Sequence, residues 1–246
     1  KHNLFHNNNN SNSNNNLRTN TKNTRKMDFQ VDSKLLDATL VKLRNAETLP
    51  EELSILTVRN TVLFPGVVIP VTVGRKKSIS LVKEAYKNGD LIGVVAQENP
   101  QVEDPTFEDL FKVGTAAKIL RMLVLPDGNT TIIIQGKRRF QLEDVVYEQP
   151  YLRSNVTALE ETFDQIEKKE TDAFLRGLKD EAKKILKLSP ELPQEAQFAI
   201  DNIETPGFLT HFIASNIGSD VSIKQIILEE NDARKRILRL LELLDK

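Results

Sequence analysis

The hydrophobic pattern changes once along the chain, near residue 160. Between residues 53 and 160, short apolar runs rich in Val, Ile and Thr alternate with Gly, Pro and Asp, as is typical of strands joined by turns. From residue 161 onward, apolar side chains recur every three or four positions, as on one face of a helix. The pattern predicts an α+β protein, with a β lobe at 53–160 and a helical lobe at 161–246.

The most informative stretch is residues 56–75, LTVRNTVLFPGVVIPVTVGR. Pro65 and Gly66 suit the two central positions of a type II turn, because proline presets φ and glycine takes the positive φ that follows. Pro70 interrupts the second apolar run and cannot donate a hydrogen bond to a neighbouring strand. The second strand is therefore expected at an edge of its sheet, or with a bend at Pro70.

Turn and capping residues divide the rest of the β lobe. One helix is expected after Arg75, with Ser78 as its N-cap and Gly89 just past its end. A single helical turn is expected between Thr106 and Asp109, which have capping-box spacing. The other expected elements are strands at 91–97, 115–125, 130–135, 138–147 and 151–159, with a hairpin turn at 126–129. Many short strands with one helix predict a small closed or half-closed sheet rather than a parallel, doubly wound one.

Proline and capping residues also mark the predicted starts and ends of helices in the helical lobe. A long charged helix is expected from residue 162 to residue 188, and Pro193 and Pro206 suit the first turns of two more helices. Ser222 and Asp232 are expected to cap the last two helices. The final helix keeps its apolar stripe through Leu244 and meets no Gly, Asn or Pro that would end it. The chain is therefore expected to be a fragment of a longer protein.

Residues 1–26 are predicted to be a disordered leader, because asparagine dominates them and few apolar residues offset the entropy of ordering. Their basic, acid-poor composition leaves an organelle transit peptide as the alternative, although an amphipathic apolar face is missing. Residues 27–52 are predicted to be a polar lead-in to the first strand.

The overall composition excludes several classes of function. With 34 basic and 35 acidic side chains, the net charge of −1 gives no reason to expect nucleic acid or an anionic membrane as the main partner. The absence of cysteine excludes disulfides, thiolate metal sites and a cysteine nucleophile. No apolar run approaches the ~18 residues needed to span a bilayer, so no membrane segment is expected.

No catalytic, cofactor-binding or metal-binding residue is predicted. The chain has neither a phosphate-binding G-x-x-x-x-G-K-[ST] loop nor a G-x-S-x-G nucleophile turn. Its three histidines lack ligand spacing, and His211 is expected to be a solvent-facing or boundary residue of a helix. The cationic runs at 75–77 and 137–139 are expected to be solvated, with one Arg pairing an acid, since no aromatic residues interleave with them for base stacking.

Short motifs in a fixed order resemble a known family. The opening V-R-N-T-V-L-F-P-G-V-V-I-P-V-x-V-G-R is followed by Val113-Gly114-Thr115, Leu125-Pro126-Asp127-Gly128, Gly136-Lys137-x-Arg139 and Thr205-Pro206-Gly207. Over residues 53–246, this order is similar to the amino-terminal, substrate-binding domain of the ATP-dependent Lon protease family. The resemblance implies a PUA-like, mostly antiparallel β pseudo-barrel, followed by a helical bundle that ends in a long helix leading towards an ATPase module.

The resemblance also implies a function and partners. The domain would recognise unfolded or tagged proteins and support a homohexamer, as part of an ATP-dependent serine protease that degrades misfolded and regulatory proteins. ATP and Mg²⁺ would act in the full-length protein, and this fragment would hydrolyse neither ATP nor peptide. The expected location is the bacterial cytoplasm, with the mitochondrial matrix as the alternative.

Five apolar residues beside the two turns are candidates for contact with substrate: Leu63, Phe64, Met122, Leu123 and Leu125. Strand alternation turns some of them inward and some outward, and exposed apolar side chains mark partner sites. An alternative of a different class is a stand-alone protein with the same PUA-like fold, which binds a small ligand or RNA. A reading frame that continues past Lys246 into a phosphate-binding loop would favour the protease, whereas a stop codon there would favour the alternative.

Overall fold

Six strands and five helices are defined in the computed structural model, which describes residues 48–160, 167–188, 200–204 and 206–244. The strands are β1 (Glu52–Val58), β2 (Val68–Val73), β3 (Leu91–Ala96), β4 (Val113–Val124), β5 (Thr130–Tyr147) and β6 (Arg153–Ala158). The helices are α1 (Lys76–Asn88), α2 (Lys168–Leu188), α3 (Pro206–Asn216), α4 (Val221–Glu229) and α5 (Ala233–Leu244), and a 3-10 turn covers Phe107–Asp109. The predictions for residues 1–47, for the start of the helix expected at 162 and for the helix expected at Pro193 lie outside the described residues.

The six strands form one sheet that closes on itself. Their order is β2-β5-β4-β3-β1-β6, and β5 also pairs with β6, so five strands make a ring and β2 lies outside it on β5. β1 and β3 are parallel, and the other pairings are antiparallel. The predicted α+β class and the predicted closed, mostly antiparallel pseudo-barrel are therefore confirmed.

The longest strand, β5, differs from its prediction. The sequence predicts two strands, 130–135 and 138–147, whereas the structure has one strand of 18 residues. Shifts of register against β4 and β6 let this strand bend around the barrel without a break. Gly136 interrupts the apolar pattern because the chain comes close at this point: a Cβ there would lie 2.2 Å from the carbonyl oxygen of Phe64.

The predicted turn at Phe64-Pro65-Gly66 is confirmed, and it docks on β5. Gly66 has a φ of +78°, and the Val67 N–H closes the turn by donating to the Phe64 carbonyl at 3.2 Å. The Gly66 N–H donates to the Gly136 carbonyl, and the Gly136 N–H donates to the Val67 carbonyl, both at 2.9 Å. This turn is therefore the point at which β2 joins the barrel.

Two of the predicted helix caps are wrong. α1 and α4 begin earlier than expected, so Ser78 and Ser222 lie inside their first turns. The N-cap residues are instead Arg75 and Asp220, neither of which makes a side-chain capping hydrogen bond. Ser78 is buried, so packing of α1 on the barrel, rather than a local capping bond, sets where this helix begins.

Three other predicted helix ends are confirmed. The N–H and the hydroxyl of Thr106 both donate to the Asp109 carboxylate at 2.8 Å, which completes the capping box. Asp232 caps α5 by accepting the Lys235 N–H at 3.1 Å. Gly89 ends α1 in the left-handed conformation, with a φ of +74°.

The barrel and the helices share a hydrophobic core. One cluster of buried side chains extends from the barrel into the helices and includes Phe64, Ile134, Leu178, Ile213 and Leu240. A smaller cluster of buried side chains, which includes Leu53, Val95, Phe140 and Leu142, packs between strands of the barrel. The division of the chain at residue 160 stays a prediction.

Candidate functional site

The edge strand β2 is the first element of the candidate site. It pairs with β5, and within the described ranges no strand pairs with its other edge. In an antiparallel pair, backbone groups point alternately towards and away from the partner strand. Pro70 lies opposite Ile133 and has no N–H to donate, so it occupies a position that points away from β5, and Val68 and Thr72 share that direction. The prediction that Pro70 marks an edge strand is confirmed.

A second strand edge faces the same space. The Ile55 N–H donates to the Leu152 carbonyl at 2.8 Å, but the pairing of β1 with β6 covers only residues 52–54. The second half of β1 pairs with β3 alone among the described strands. By the same alternation, Thr57 points its backbone groups in the direction of Ile55, away from β3.

A groove lies between these two edges. One wall consists of the second half of β1 and the residues that follow it as far as Thr61. The other wall consists of β2 and the residues that connect it to α1. Its floor is apolar: Leu56 and Val58 are buried, and Ile69 and Val71 are half-buried. Its volume of about 700 Å³ lies within the ordinary range of ligand clefts, about 300–1,000 Å³. We call it the edge groove.

Two arginines make one end of the edge groove positive. Arg75 is half-buried, and its guanidinium donates to Thr57 Oγ1 at 2.7 Å and to Gln97 Oε1 at 2.6 Å. Arg59 is exposed and donates to the Val102 and Glu103 carbonyls at 3.3 Å. Burial lowers the pKa of Arg75, the neighbouring Arg59 lowers this pKa further, and Asp104 partly opposes both effects. The prediction that Arg75 is a solvated cation is therefore wrong.

The positive end of the groove has no acid in its lining. The described residues that line it include Arg59 and Arg75 but neither Asp nor Glu. The acid that acts on Arg75 is Asp104, which lines a neighbouring cavity and raises the pKa of Arg75. Lys77, by contrast, pairs with Asp104 at 3.0 Å outside the groove. The sequence run at 75–77 gave no indication of this difference, because only the fold shows which cation faces which acid.

Beside Arg75, a smaller cavity of about 60 Å³ is lined by residues that include Lys77, Phe107 and Tyr151. The Tyr151 hydroxyl donates to Glu84 Oε2 at 2.9 Å. Burial and the Glu84 carboxylate raise the pKa of Tyr151 to about 12. This tyrosine therefore stays neutral at physiological pH and serves as a hydrogen-bond donor.

The five predicted contact residues separate into buried and exposed groups. Leu63 and Phe64 are 2% and 0% exposed, so they have no surface with which to contact a partner. Met122 is half-buried, whereas Leu123 and Leu125 are 55% and 36% exposed. Whether the last three residues contact substrate stays a prediction.

The exposed members belong to a group of exposed apolar side chains on the β4–β5 hairpin, in which Leu123 and Val124, as consecutive strand residues, lie on opposite faces of the sheet. We call it the hairpin patch, and its residues are Leu120, Leu123, Val124 and Leu125. Sequence reasoning missed Leu120 and Val124, although the run ILRMLVL has too many apolar residues for one buried face of a strand. Leu123 lies opposite Thr131 on β5, and Thr131 lies opposite Thr72 on β2. The hairpin patch and β2 therefore lie on the same sheet, one strand apart.

The cationic run at 137–139 does not form a single patch. Lys137 is exposed, Arg138 pairs with Glu160, and Arg139 is only 2% exposed. Arg139 donates to the Leu228 carbonyl at 2.7 Å and to the Glu230 carbonyl at 3.2 Å. The prediction of a solvated run with one ion pair is right for Arg138 and wrong for Arg139, because the bent strand turns Arg139 towards the helices.

A second buried arginine joins the helices at the same point. Arg236 Nε donates to the Glu230 carbonyl at 2.9 Å, and Arg236 Nη1 lies 3.2 Å from His211 Nε2. The His211 ring also packs on Phe64, with the ring centroids 5.8 Å apart. His211 is 5% exposed, so its predicted position at the helix surface is wrong. No pattern in the sequence marks this cluster, since Arg is usually exposed and His is found both at the surface and inside.

Among the residues with a described position, no group of three His, Asp or Glu side chains could hold a metal ion. Within those residues there is also no helix of the length and hydropathy that a bilayer span requires. The candidate site consists of strand edges, apolar side chains and two arginines.

Comparisons with known proteins give a consistent result. Residues 52–246 match the family model described as the ATP-dependent protease La (LON) substrate-binding domain. The chain is 58% identical over 200 residues to the Lon protease of Cytophaga hutchinsonii, which covers 81% of this chain and 25% of that protein. It is 47% identical over 197 residues to the Lon protease of Flavobacterium johnsoniae, which covers 80% of this chain and 24% of that protein. The chain thus spans about a quarter of the length of these relatives.

Two solved structures have the same fold. A crystal structure of a Lon N-terminal domain protein from Xanthomonas campestris superposes with a TM-score of 0.55 at 19% identity, covering 78% of this chain and 97% of that one. The N-terminal domain of the Mycobacterium avium complex Lon protease superposes with a TM-score of 0.58 at 20% identity, covering 78% of this chain and 96% of that one.

Proposed function

Since the chain belongs to the family of Lon substrate-binding domains, as its sequence motifs indicated, we propose that it captures unfolded polypeptide for an ATP-dependent protease. The observation that carries this proposal is the closeness of the hairpin patch to the free edge of β2. Folded proteins bury most of their large apolar side chains and pair most of their strand edges, whereas an unfolded chain offers both to a partner. A surface that presents apolar side chains beside an unpaired edge is therefore suited to unfolded chains.

The hairpin patch would supply contacts that do not depend on sequence. Leu123 is 55% exposed and lies on the same face of the sheet as Thr131 and Thr72, so a partner on that face can cover much of its side chain. Burying apolar surface contributes about 25 cal/mol per Å², whatever the identity of the apolar partner. Binding to one domain would be weak, because association and the ordering of an unfolded chain oppose it.

Binding to unfolded protein is tested with one protein in two states. The 246-residue chain is titrated with α-lactalbumin whose cysteines have been reduced and carbamidomethylated, and with native, calcium-loaded α-lactalbumin. We expect the chain to bind the unfolded form and not the native form, as measured by sedimentation velocity with a fluorescent label on the α-lactalbumin. Equal binding to both forms, or none to either at high micromolar concentration, would contradict the proposal.

The whole protein would combine several copies of this domain. We infer a Lon-type serine endopeptidase that uses ATP and Mg²⁺, assembles as a homohexamer and acts in the bacterial cytoplasm on misfolded and regulatory proteins. Six weak contacts with one unfolded chain would raise the overall affinity through a high effective concentration. Light scattering in the presence of ATP and Mg²⁺ measures the mass of the full-length protein, and a degradation assay compares its action on the two forms of α-lactalbumin. A monomer that degrades neither form would refute the inference.

A further inference from the structure

The free edge of β2 carries backbone groups that have no partner strand. Val68 and Thr72 each direct an N–H and a carbonyl away from β5, and Pro70 directs a carbonyl only. Such an edge is a template for one more strand, and a proline within it limits uncontrolled pairing with other sheets. The edge of β2 therefore keeps two donors and three acceptors at alternate positions.

The edge groove has room on this side of β2 and walls that favour an extended chain. Ile69 and Val71 lie on its apolar floor, while Pro70 and Thr72 line it from the other face of the same strand. An extended segment places alternate side chains on opposite faces, so it would match both faces of β2 in turn. A helix presents no free backbone groups along its length and could not use this edge.

The charges at the end of the groove indicate which segment fits. Arg59 and Arg75 have only neutral hydrogen-bond acceptors in the described structure: the Thr57 hydroxyl, the Gln97 amide oxygen and backbone carbonyls. A half-buried cation gains most from an anionic partner in a site from which water is partly excluded. Asp104 acts on Arg75 from outside the groove, so an acidic side chain of the bound segment would be the first acid within the groove itself.

We propose that an extended segment of an unfolded protein adds to the free edge of β2 as a further strand, with apolar side chains on the groove floor and an acidic side chain at Arg59 and Arg75. This proposal rests on the proposed function and specifies it: backbone hydrogen bonds supply affinity for many sequences, and the arginines supply a preference for acidic ones. Strand addition is a known mode of peptide recognition that depends mainly on the main chain.

The first test removes one backbone donor of the edge. Thr72→Pro deletes the outward N–H at a position like that of Pro70, and Thr72→Val is the matched control, because it also loses the hydroxyl hydrogen bond to Thr131 but keeps the N–H. The probe is a fluorescent, ten-residue amidated peptide of alternating Val and Thr with one Glu near an end. We expect Thr72→Pro to bind about fivefold more weakly than Thr72→Val by fluorescence anisotropy. Equal binding by the two variants would overturn the proposal.

The second test changes the probe, so it does not depend on the folding of a variant. Two peptides of the same sequence are compared: one is methylated on every odd-numbered backbone nitrogen, and the other on every even-numbered one. Only alternate N–H groups of an added strand face β2. One of the two methylated peptides should therefore not bind, and the other should bind with an affinity within about twofold of that of the unmethylated peptide. Equal loss of binding by both methylated peptides, or by neither, would refute strand addition.

The arginine end is tested with Arg59→Gln, a change at an exposed side chain. We expect the wild-type chain to prefer the Glu peptide over its Gln counterpart by about fivefold, and Arg59→Gln to lose most of this preference. A preference unchanged in Arg59→Gln would contradict the charge part of the proposal.

Two outcomes separate this proposal from its alternatives. If unfolded α-lactalbumin binds equally well to Thr72→Pro and Thr72→Val, strand addition is wrong while the proposed function stands; if it does not bind to the wild-type chain, the proposed function fails. A concentration-dependent dimer without peptide, present in Thr72→Val and absent in Thr72→Pro, would assign the edge to a second copy of the chain and overturn the proposal.

Discussion

Arg139 and Leu228 join the two halves of the described structure: the guanidinium of a barrel strand donates to the backbone carbonyl at the end of α4, at 2.7 Å. The same guanidinium reaches the Glu230 carbonyl at 3.2 Å. The two acceptors lie in the last turn of α4 and directly after it, and the side chain of Arg139 is almost completely buried. The barrel and the helices are thus connected by directed hydrogen bonds as well as by apolar packing.

We expect Arg139→Met to destabilise the fold by about 3 kcal/mol, because the buried Leu228 carbonyl and the partly buried Glu230 carbonyl lose a charged donor that Met cannot replace. Urea unfolding followed by circular dichroism measures this loss. The matched control is Arg138→Gln, which removes a neighbouring, half-buried arginine whose ion-pair partner Glu160 is 77% exposed. The control should change stability by less than about 1 kcal/mol. Equal effects of the two changes would contradict the role given to Arg139.

A methyl group at Gly136 should disrupt the contact between the turn and β5. The Cβ of Gly136→Ala would lie 2.2 Å from the Phe64 carbonyl oxygen, and this obstacle is backbone that cannot rotate away. We expect a loss of about 3 kcal/mol in the free energy of unfolding. The control is Gly177→Ala within α2, where an added Cβ meets nothing within 4 Å. It should raise stability by up to about 1 kcal/mol through helix propensity. A neutral Gly136→Ala would show that the turn shifts without cost.

Tyr151 should make stability fall at high pH. Its pKa is raised from 10.0 to about 12, so between these pH values the unfolded chain has released a proton that the folded protein keeps. The stabilising contribution is complete below pH 10 and is lost as the pH rises through 12. The difference in absorbance at 295 nm between the wild-type chain and Tyr151→Phe gives the ionisation directly. A midpoint near pH 10 in this difference curve would contradict the assigned environment.

The hairpin patch should contribute to binding but not to folding. Leu123→Gln replaces a side chain that is 55% exposed, and Ile226→Gln replaces one that is 50% exposed on α4. We expect Leu123→Gln to weaken binding to unfolded α-lactalbumin by about fivefold, as the loss of about 1 kcal/mol of apolar contact would do. Ile226→Gln should leave binding unchanged, since it lies among the helices. If Leu123→Gln and Ile226→Gln weakened binding to unfolded α-lactalbumin equally, the hairpin patch would have no special role in binding.

Local chemistry predicted much of the fold correctly. Pro70 indicated an edge strand, and Thr106 with Asp109 indicated a capping box, because in each case the physical constraint lies within a few residues of the chain. The hairpin turn at 126–129 likewise joins β4 to β5. A sequence expresses such constraints directly, whatever the rest of the molecule does.

Long-range contacts account for the predictions that failed. In the sequence, Gly136 resembles the end of a strand. In the structure, the carbonyl oxygen of Phe64, which lies 72 residues earlier in the chain, leaves no room for a Cβ at this position. Arg139 resembles a surface cation, and its acceptors are 89 and 91 residues away. The edge groove was missed for the same reason, since β1 and β2 form its walls without pairing with each other.

The shared carbonyl of Glu230 has a mechanical consequence. Arg139 of β5 and Arg236 of α5 both donate to this one oxygen, and Arg139 also holds Leu228. A pulling force along α5 would therefore be transmitted to β5 through the hydrogen bonds that Arg236 and Arg139 donate to the Glu230 carbonyl. In a single-molecule stretching experiment, the last helix and the barrel would resist together and give way in one event, rather than peeling apart helix by helix.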